Sequence, residues 1–446
     1  MDKVSDIPHQ NRLSRRFVLA VTTQCTSSVP AEPEVVIEGP DTQQPLPSSE
    51  ASRSLVEQVW TEEFRKDVWT KKHLHLTGSP DRFRDLVHYT DIEQILRLTS
   101  PASDRLQFAL EGRYVDRGIL CDCSPLDGGL RPANFNALKV EELLKSGATL
   151  IVNALDEIHE PAGTLANDLE TLFGDRVQVN LYASWRDLPG FDVHWDEQEV
   201  FILQVKGSKE WRLYGRTCPH PLRSVNRNQT APKVPLLRVV MREGDVLYLP
   251  RGEWHSVHPL GTPTIHLTFG VHTSCGVDLA RWLADRLAQT EFGRSDIPVL
   301  HAPSSESEQY ISEYRAAVGQ LTRAGFLESF TRERRRLNKR RRHIQLKHVE
   351  CGSDKDLEDS IRIRYLPDCS SRVNQDNAEY LIITDEGRRI LCSRSGAPVL
   401  LALRAHRSCT FRDLLDMTEG SLSKDDVKKM VAELCDVGLV SLQASG

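Results

Sequence analysis

The sequence predicts a mainly β protein with added α-helices, organised around a double-sheet jelly roll. Between residues 110 and 275, short apolar and β-branched runs alternate with turns that contain Gly or Pro, which is typical of a sandwich or barrel. At least seven such runs are predicted to be strands: 149–152, 177–182, 200–205, 211–214, 237–240, 245–249 and 264–269. After residue 276 the apolar residues recur at helical spacing, so helices should follow the barrel.

The length and composition divide the chain further. At 446 residues it exceeds one ordinary domain. Residues 1–50 are rich in Ser, Thr, Pro, Glu and Gln without regular periodicity, so we expect a disordered leader there. The barrel domain is predicted over 51–275, a helical region over 276–350, and a small winged-helix-like α/β domain over 351–446. Its last helix carries few basic residues, which favours a packing or partner role over DNA binding.

Charge and cysteine usage indicate a cytoplasmic protein. The net charge of -6 and the pI near 6.2 argue against attraction of the whole protein to nucleic acid or anionic lipid. No run approaches the roughly 18 apolar residues that a membrane span needs, and the apolar stretch 17–21 is too short for a secretory signal. The ten cysteines include one close pair, Cys121 and Cys123, but no second pair with zinc-site spacing, so free thiols are expected.

Residues 332–343 form the most basic stretch of the chain. One interpretation is contact with RNA or an acidic surface. The other is the solvated end of a helix, with arginines near its C-terminal dipole. The second is favoured because the stretch has no aromatic residues for base stacking, and nucleic-acid contact stays an open alternative.

A histidine and an aspartate two residues apart precede the third predicted strand. Because side chains two apart in an extended chain share a side, His194 and Asp196 should face the same way. His255 lies in a later stretch, from which a neighbouring strand can bring it to the pair. Two imidazoles and a carboxylate are the facial set of non-haem Fe(II) oxygenases. An isolated His-x-Asp is more often polar decoration, so the prediction depends on the surrounding pattern.

Lys209 follows the first two candidate ligands. A dicarboxylate that chelates iron through its keto-acid end needs a cation for its distal carboxylate, and lysine supplies such a point charge. The alternative is a turn lysine in solvent, because Gly207 and Ser208 precede it. Taken alone, the segment favours that alternative.

Together these segments resemble the JmjC/cupin-type ribosomal oxygenases. The similarity is dense over 180–255 and more diffuse over 55–290. The family includes a bacterial ribosomal-protein arginyl hydroxylase and human nucleolar histidyl hydroxylases, and it adds a helical dimerisation region and a C-terminal winged helix. The resemblance is carried by His194-Trp195-Asp196, 199–204, Gly207, Lys209, 211–214, 244–252 and His255.

The resemblance implies a site and its cofactors. It makes His194, Asp196 and His255 ligands of Fe(II), and it makes Lys209 the partner of the distal carboxylate of 2-oxoglutarate. O₂ is the second cosubstrate, and the helical region implies a homodimer. Further cosubstrate-binding candidates are Asn180, Tyr182 and Thr268. Gly270 occupies a position where relatives carry a hydroxyl residue, so the sequence leaves the cosubstrate contact of the last strand open.

Several neighbours of the motif have two interpretations. Trp195 either shapes the substrate entrance or packs beneath its loop, and Trp185 and Arg186 either reach the substrate or do not. Three later histidines are interpreted as barrel or loop residues, because three protein ligands already complete the facial set. They are His258, His266 and His272.

The predicted function is hydroxylation of a protein side chain by a 2-oxoglutarate-dependent dioxygenase. By resemblance the target is an arginine or histidine of a ribosomal protein, and an acidic wall formed by Asp192 or Glu197 would favour arginine. The alternatives are a hydroxylase of a peptide or small natural product, a non-catalytic metal-binding cupin, and a nucleic-acid regulator with a decayed barrel. Histone demethylation is disfavoured, because no zinc-finger or histone-reader segment accompanies the barrel.

Overall fold

The chain forms two compact units. One is Pro47–Arg342, and the other combines Met1–Leu46 with His343–Gly446. Among the helices that the structure describes, none is long and apolar enough to cross a membrane. The computed structural model describes residues 18–23, 50–126, 129–226, 229–299, 301, 303–337, 357–365, 372–376, 379–383, 388–406, 408–437 and 439–443.

The described residues contain strands throughout both units. In chain order they are β1 (Val18–Thr23), β2 (Leu74–Leu76), β3 (Leu106–Leu110), β4 (Arg113–Tyr114), β5 (Cys121–Leu126), β6 (Gly129–Phe135), β7 (Thr149–Val152), β8 (Val177–Ser184), β9 (Glu199–Gly215), β10 (Leu237–Met241), β11 (Val246–Leu249), β12 (Trp254–Val271), β13 (Arg362–Tyr365), β14 (Arg372–Asp376), β15 (Glu379–Ile383), β16 (Arg388–Ser393), β17 (Ser408–Thr410) and β18 (Val440–Gln443).

Helices precede, separate and follow the strands along the chain. They are α1 (Glu50–Val59), α2 (Tyr89–Leu98), α3 (Ala137–Ser146), α4 (Glu160–Phe173), α5 (Arg223–Asn226), α6 (Gly276–Leu287), α7 (Ser304–Leu321), α8 (Phe326–Leu337), α9 (Ala397–His406), α10 (Phe411–Met417) and α11 (Lys424–Asp436). Short π or 3₁₀ turns occur at Phe64–Val68, Arg117–Leu120, Leu155–Glu157, Phe292–Arg294 and Arg394–Gly396.

One antiparallel sheet of nine strands dominates the larger unit. Its order is β2-β11-β9-β12-β8-β7-β3-β4, with β10 added to β9. The two longest strands, β9 and β12, have 17 and 18 residues and pair with each other along most of their length. The mainly β fold with a jelly-roll-like sheet is therefore confirmed.

One pair of predicted strands is a single strand in the structure, and another predicted strand is longer than expected. The runs 200–205 and 211–214 belong to β9, because Gly207 adopts a φ of +66° within the strand and does not reverse the chain. A Cβ at Gly207 would lie 2.4 Å from the carbonyl oxygen of Pro263, so the neighbouring chain passes too close for a side chain there. Likewise, His255 lies in the same strand, β12, as the run 264–269.

The core of the larger unit lies against one face of the sheet. In β8, Val179 and Leu181 are fully buried in this core, while Asn180 and Tyr182, which alternate with them along the strand, point to the opposite face. Helices α1 and α4 contribute further apolar side chains to the same cluster. One face of β8 therefore supports the fold, and the other is free to line a cavity.

Helices follow the barrel strands, as the sequence predicts, and the described ones are α6, α7 and α8. Helices α6 and α7 bury none of their residues, and Trp282 of α6 packs against Phe326 and Phe330 of α8. Arg334 of α8 is not a solvated arginine, because its Nε lies 3.1 Å from Asp175 Oδ1 and its Nη2 donates to the carbonyl of His272. The rest of the basic stretch, 338–343, lies outside the described residues.

Among its described residues, the smaller unit contains two sheets and three helices. The orders are β1-β16-β15-β14 and β17-β13-β18. Thr410 caps α10 with a reciprocal hydrogen-bond pair to Asp413, and Ser423 Oγ accepts from the Asp426 N–H at the start of α11. The described cysteines of its core are free thiols, as predicted: Cys392, Cys409 and Cys435. The winged-helix-like assignment stays a prediction.

The expectation of a disordered leader is corrected over one segment. Residues Val18–Thr23 form β1 and pair antiparallel with β16, with Ala20 opposite Leu391. The segment consists of Val, Leu, Ala and Thr, and its β-branched residues favour a strand once a partner edge is present. The remaining residues of the predicted leader, apart from Glu50 at the start of α1, lie outside the described residues.

Candidate metal centre

Three potential ligand side chains meet in the larger unit. His194, Asp196 and His255 each offer one ligand atom, and these atoms lie within 4.8 Å of one another. The Nε2 of His255 lies 3.7 Å from Asp196 Oδ2, and the two imidazole centroids are 4.4 Å apart. The structure therefore brings together the three residues that the sequence singled out.

Main-chain hydrogen bonds fix the position of this group. The His194 N–H donates to the His255 carbonyl over 3.1 Å, and the His255 N–H donates back over 2.8 Å. The Gly252 N–H donates to the Asp196 carbonyl over 3.0 Å. Gly252 has a φ of +83°, and a Cβ there would lie 2.6 Å from the ring of Pro221, so glycine is required at this turn.

The imidazole rings are oriented by their second nitrogens. His194 Nδ1 lies 2.8 Å from the carbonyl of Asp192, and His255 Nδ1 lies 2.9 Å from the carbonyl of Glu253. A ring that donates Nδ1–H to a carbonyl keeps its lone pair on Nε2, which is the usual arrangement of a metal-binding histidine. Burial, with a smaller contribution from His194, lowers the pKa of His255 to about 4, so this ring is neutral at physiological pH.

The donor set fits iron. Two imidazole nitrogens and one carboxylate oxygen suit Fe(II), whereas a closed structural zinc site needs four protein ligands. Among the described residues, no fourth histidine, cysteine or carboxylate joins the group. Such a set leaves coordination positions for exogenous ligands.

A cavity of about 320 Å³ opens beside the three residues. Its size is within the range of sites that bind small molecules. It is lined by Tyr114, Thr149, Tyr182, Ser184, Gly190, Phe191, His194, Asp196, Lys209, Trp211, His255, Val257, Pro259, His266 and Thr268.

Lys209 contributes a buried amine to this cavity. Its side chain is 2% exposed, so the turn-lysine alternative is wrong. Its Nζ lies 2.7 Å from His266 Nδ1 and 3.5 Å from the carbonyl oxygen of Tyr182. Burial lowers the pKa of Lys209 to about 7. Neither of these two partners is an anion, so an anionic ligand that enters the cavity would supply the missing charge.

The other predicted cosubstrate residues lie in β8 and β12. Tyr182 and Thr268 line the cavity, but Asn180 is not among the lining residues. Asn180 Oδ1 accepts from the Ala154 N–H over 3.0 Å. Burial and the charge of Asp196 raise the pKa of Tyr182, while Asn180 and Thr268 act in the opposite direction. Gly270 lies opposite Gln178 and presents no side chain.

One of the three later histidines belongs to the cavity. The sequence interpretation of His266 as a barrel residue missed its position there, although strand alternation with Thr268 puts both on one face. His258 instead contacts Ser256, with its Nε2 3.2 Å from Ser256 Oγ. His272 follows β12 and is not among the lining residues.

The open interpretations of the neighbouring residues are also resolved by their contacts. Trp195 is 8% exposed and packs with Tyr214 and Trp254, which agrees with packing beneath the loop. Trp185 packs against the main core, and Arg186 donates to the carbonyl of Lys145. Of the two proposed acidic wall residues, neither Asp192 nor Glu197 lines the described cavity.

Comparisons with known proteins agree with this geometry. Residues 157–279 match the family model of the JmjC domain. The chain is 30% identical over 232 residues to ribosomal oxygenase 1 of Gallus gallus, covering 50% of this chain and 36% of the relative. Over 106 residues it is 35% identical to the bifunctional lysine-specific demethylase and histidyl-hydroxylase NO66 of Drosophila persimilis, covering 23% of this chain and 15% of that protein. The chain thus spans less than half the length of these relatives.

A solved structure extends the likeness of fold. The Escherichia coli ribosomal oxygenase YcfD, in complex with cobalt and 2-oxoglutarate, aligns with a TM-score of 0.52 at 18% identity, covering 86% of this chain and 98% of YcfD. The matched JmjC segment contains His194, Asp196 and His255. Over this segment the chain is therefore similar to the JmjC domain, and over about half of its length it is similar to ribosomal oxygenases.

Proposed function

We propose that the protein is an Fe(II)- and 2-oxoglutarate-dependent oxygenase that hydroxylates a protein side chain. One observation carries this proposal: the His194, Asp196 and His255 group and the buried Lys209 line a single cavity. The three-residue group provides metal ligands and leaves coordination positions of the metal open, and Lys209 provides a cation for a dicarboxylate. A metal module without catalysis needs the ligands but has no need of the buried amine.

The residues of the chain have distinct roles in this proposal. The two imidazoles and the Asp196 carboxylate would hold the metal, and the backbone bridge keeps the two histidines next to each other. Lys209 binds the distal carboxylate of 2-oxoglutarate, and the aromatic walls of the cavity exclude water. Bound iron supplies the activation of O₂, coupled to decarboxylation of the 2-oxo acid, that places a hydroxyl on an unactivated carbon.

The proposed substrate is an arginine or histidine of a ribosomal protein. The names of the relatives support this target, because they include ribosomal oxygenases and a histidyl-hydroxylase. The lining favours histidine: Asp196 is the sole carboxylate among the residues that line the described cavity. An arginine side chain would find no separate counter-charge there, whereas a flat imidazole suits walls formed by Tyr114 and Phe191. Hydroxylation of a peptide or small natural product is the alternative.

The proposal includes a homodimer in the cytoplasm. Helices α6 and α7 bury none of their residues within the chain, and Ile311 and Tyr314 on one face of α7 are 47% and 43% exposed. A second copy would cover this face. Nucleic-acid contact through residues 332–343 remains an alternative use of the basic stretch.

Two measurements test the function. Anaerobic addition of Fe(II) and 2-oxoglutarate should produce a metal-to-ligand charge-transfer absorption band. Intact-mass analysis should then compare ribosomal proteins from cells with and without the gene. In the cells that lack the gene, one ribosomal protein should be lighter by the mass of one oxygen atom. Absence of both signals would contradict the proposal, and the band without the mass change would favour the peptide or small-molecule alternative.

A further inference from the structure

We propose that His266 is a positioning residue for the cosubstrate, which orients the Lys209 ammonium towards the distal carboxylate of 2-oxoglutarate. This inference rests on the proposed function and adds a specificity-determining residue to it. Its starting point is the 2.7 Å contact between Lys209 Nζ and His266 Nδ1 inside the cavity.

The contact between Lys209 and His266 matters because it takes up one of the few hydrogen bonds that an ammonium group can donate. A protonated lysine has three donors and no acceptor. In Lys209, His266 Nδ1 accepts the first donor, and the Tyr182 carbonyl, at 3.5 Å, accepts the second more weakly. These two hydrogen bonds fix the rotation of the ammonium group, so the direction of its third N–H is set. The Lys209 side chain is therefore ordered before the carboxylate binds. Less conformational entropy of this side chain is then lost on binding.

The imidazole is itself held in place. His266 is 5% exposed, and its ring stacks on the ring of Tyr182 with a centroid distance of 4.9 Å and an interplanar angle of 8°. Trp211 contacts it edge-on, with centroids 5.4 Å apart. In the sheet, His266 lies directly opposite Tyr182 of β8. Packing on two sides therefore fixes the direction of Nδ1.

The electrostatics of the pair are consistent with an acceptor role. Burial lowers the pKa of His266 well below its ordinary value, with a further lowering by Lys209. A neutral imidazole can accept from an ammonium, whereas an imidazolium would repel it. The pair should thus hold one positive charge, on Lys209, when an anion is bound.

This arrangement predicts discrimination between 2-oxo acids. The keto-acid end of any 2-oxo acid chelates the metal, but only a dicarboxylate reaches the oriented ammonium. Loss of the His266 acceptor should weaken binding of 2-oxoglutarate and leave a monocarboxylate such as 2-oxovalerate unaffected. A purely structural role would change the binding of both compounds or of neither.

The test compares two isosteric variants, His266→Leu and His266→Asn, in the full-length protein loaded anaerobically with Fe(II). Asparagine retains an acceptor near the position of Nδ1, and leucine does not. Titration calorimetry should show at least about tenfold weaker 2-oxoglutarate binding in the leucine variant, near-parent binding in the asparagine variant, and unchanged 2-oxovalerate binding in both. Where leucine prevents folding, His266→Phe keeps a ring against Tyr182 without an acceptor.

A double-mutant cycle assigns the effect to Lys209. In a Lys209→Met background, His266→Leu should cause little further loss, because the group that it positions is gone. Parent-like 2-oxoglutarate binding in the leucine variant, or an equal loss in the Lys209→Met background, overturns the inference. If the parent itself fails to bind 2-oxoglutarate, the proposed function fails, and this inference fails with it.

Discussion

His194 and His255, which lie in separate stretches of the chain, form an isolated antiparallel backbone bridge with two reciprocal hydrogen bonds of 3.1 Å and 2.8 Å. Each ring is also held through Nδ1 by the carbonyl of the residue two positions earlier. The geometry of the two candidate ligands is therefore set by main-chain atoms, and replacing one side chain should leave the position of the other intact.

His194→Ala should abolish the charge-transfer band and weaken Fe(II) binding. The loss should exceed the roughly 10–100-fold seen when a residue that merely supports a ligand is removed, because a ligand itself disappears. Anaerobic absorption spectroscopy and calorimetry with Fe(II) measure both effects. His258→Ala is the matched control, since His258 contacts Ser256 outside the group and should leave both signals unchanged. A parent-like band in the His194 variant would show that the ligand assignment is wrong.

Lys209→Met should raise the dissociation constant of 2-oxoglutarate by at least about tenfold while Fe(II) binding persists. Methionine fills most of the space of a side chain that is 2% exposed, so the change removes the charge without opening a large cavity. The control is Lys206→Met, because the Lys206 amine lies 4.7 Å from the ring centre of Tyr89 and not in the cavity lining. Equal effects of the two substitutions would contradict a specific role for Lys209.

Binding of 2-oxoglutarate should weaken as the pH rises above about 7. The carboxylate needs the protonated amine, and burial lowers the pKa of Lys209 to about 7, so the amine is mostly charged well below this pH, half charged near it, and mostly neutral above it. The apparent dissociation constant should then rise by up to about tenfold per pH unit, until the pH reaches the pKa of the complex. Calorimetry between about pH 6 and 9 measures this, and binding of 2-oxovalerate provides the control. A flat profile for 2-oxoglutarate would argue against titration of Lys209.

The fold was predictable where local patterns sufficed. The runs 149–152 and 177–182 appear as β7 and β8, because alternation and β-branched content are properties of the segment itself. The length of β9 was not predictable, because glycine and serine at positions 207 and 208 indicate a turn as readily as an irregular strand. Pairing of β1 with β16 joins segments far apart in sequence, which no local pattern encodes.

In the candidate site, too, local sequence patterns predicted some features and missed those that depend on tertiary packing. The His-x-Asp spacing and the later His255 predicted a group that the structure brings together. The burial of Lys209 depends on how β9 packs against β12, so the segment taken by itself favoured a solvated lysine, whereas the family resemblance predicted a cosubstrate-binding lysine. In the pairing of β9 with β12, Lys209 lies opposite Pro259 and His266 lies opposite Gln204, so side-chain spacing could not reveal the contact between Lys209 and His266.

Ile311→Glu should shift the protein towards the monomer if a second copy covers α7. Ile311 and Tyr314 are one helical turn apart, and a carboxylate at that face would lose its hydration in an interface. Light scattering coupled to size-exclusion chromatography reports the mass. Ser312→Glu, one residue further on the exposed surface of the same helix, is the control and should not change it. A monomeric parent would show that the proposed homodimer is wrong.

Phe201→Ala should destabilise the larger unit by about 3–5 kcal/mol, the usual cost of truncating a buried aromatic residue. Phe201 is fully buried, and its ring centroid lies 5.4 Å from that of Phe173 and 5.1 Å from that of Tyr248. Chemical unfolding followed by tryptophan fluorescence measures the change, since Trp69 stacks in the same cluster. Val225→Ala, at a position that is 75% exposed, should change stability by less than about 0.5 kcal/mol.

Because Phe201 packs in the main core and does not line the cavity, Fe(II) binding well below the unfolding transition should persist in the Phe201→Ala variant. Loss of Fe(II) binding without loss of stability would instead place Phe201 in the support of the metal centre.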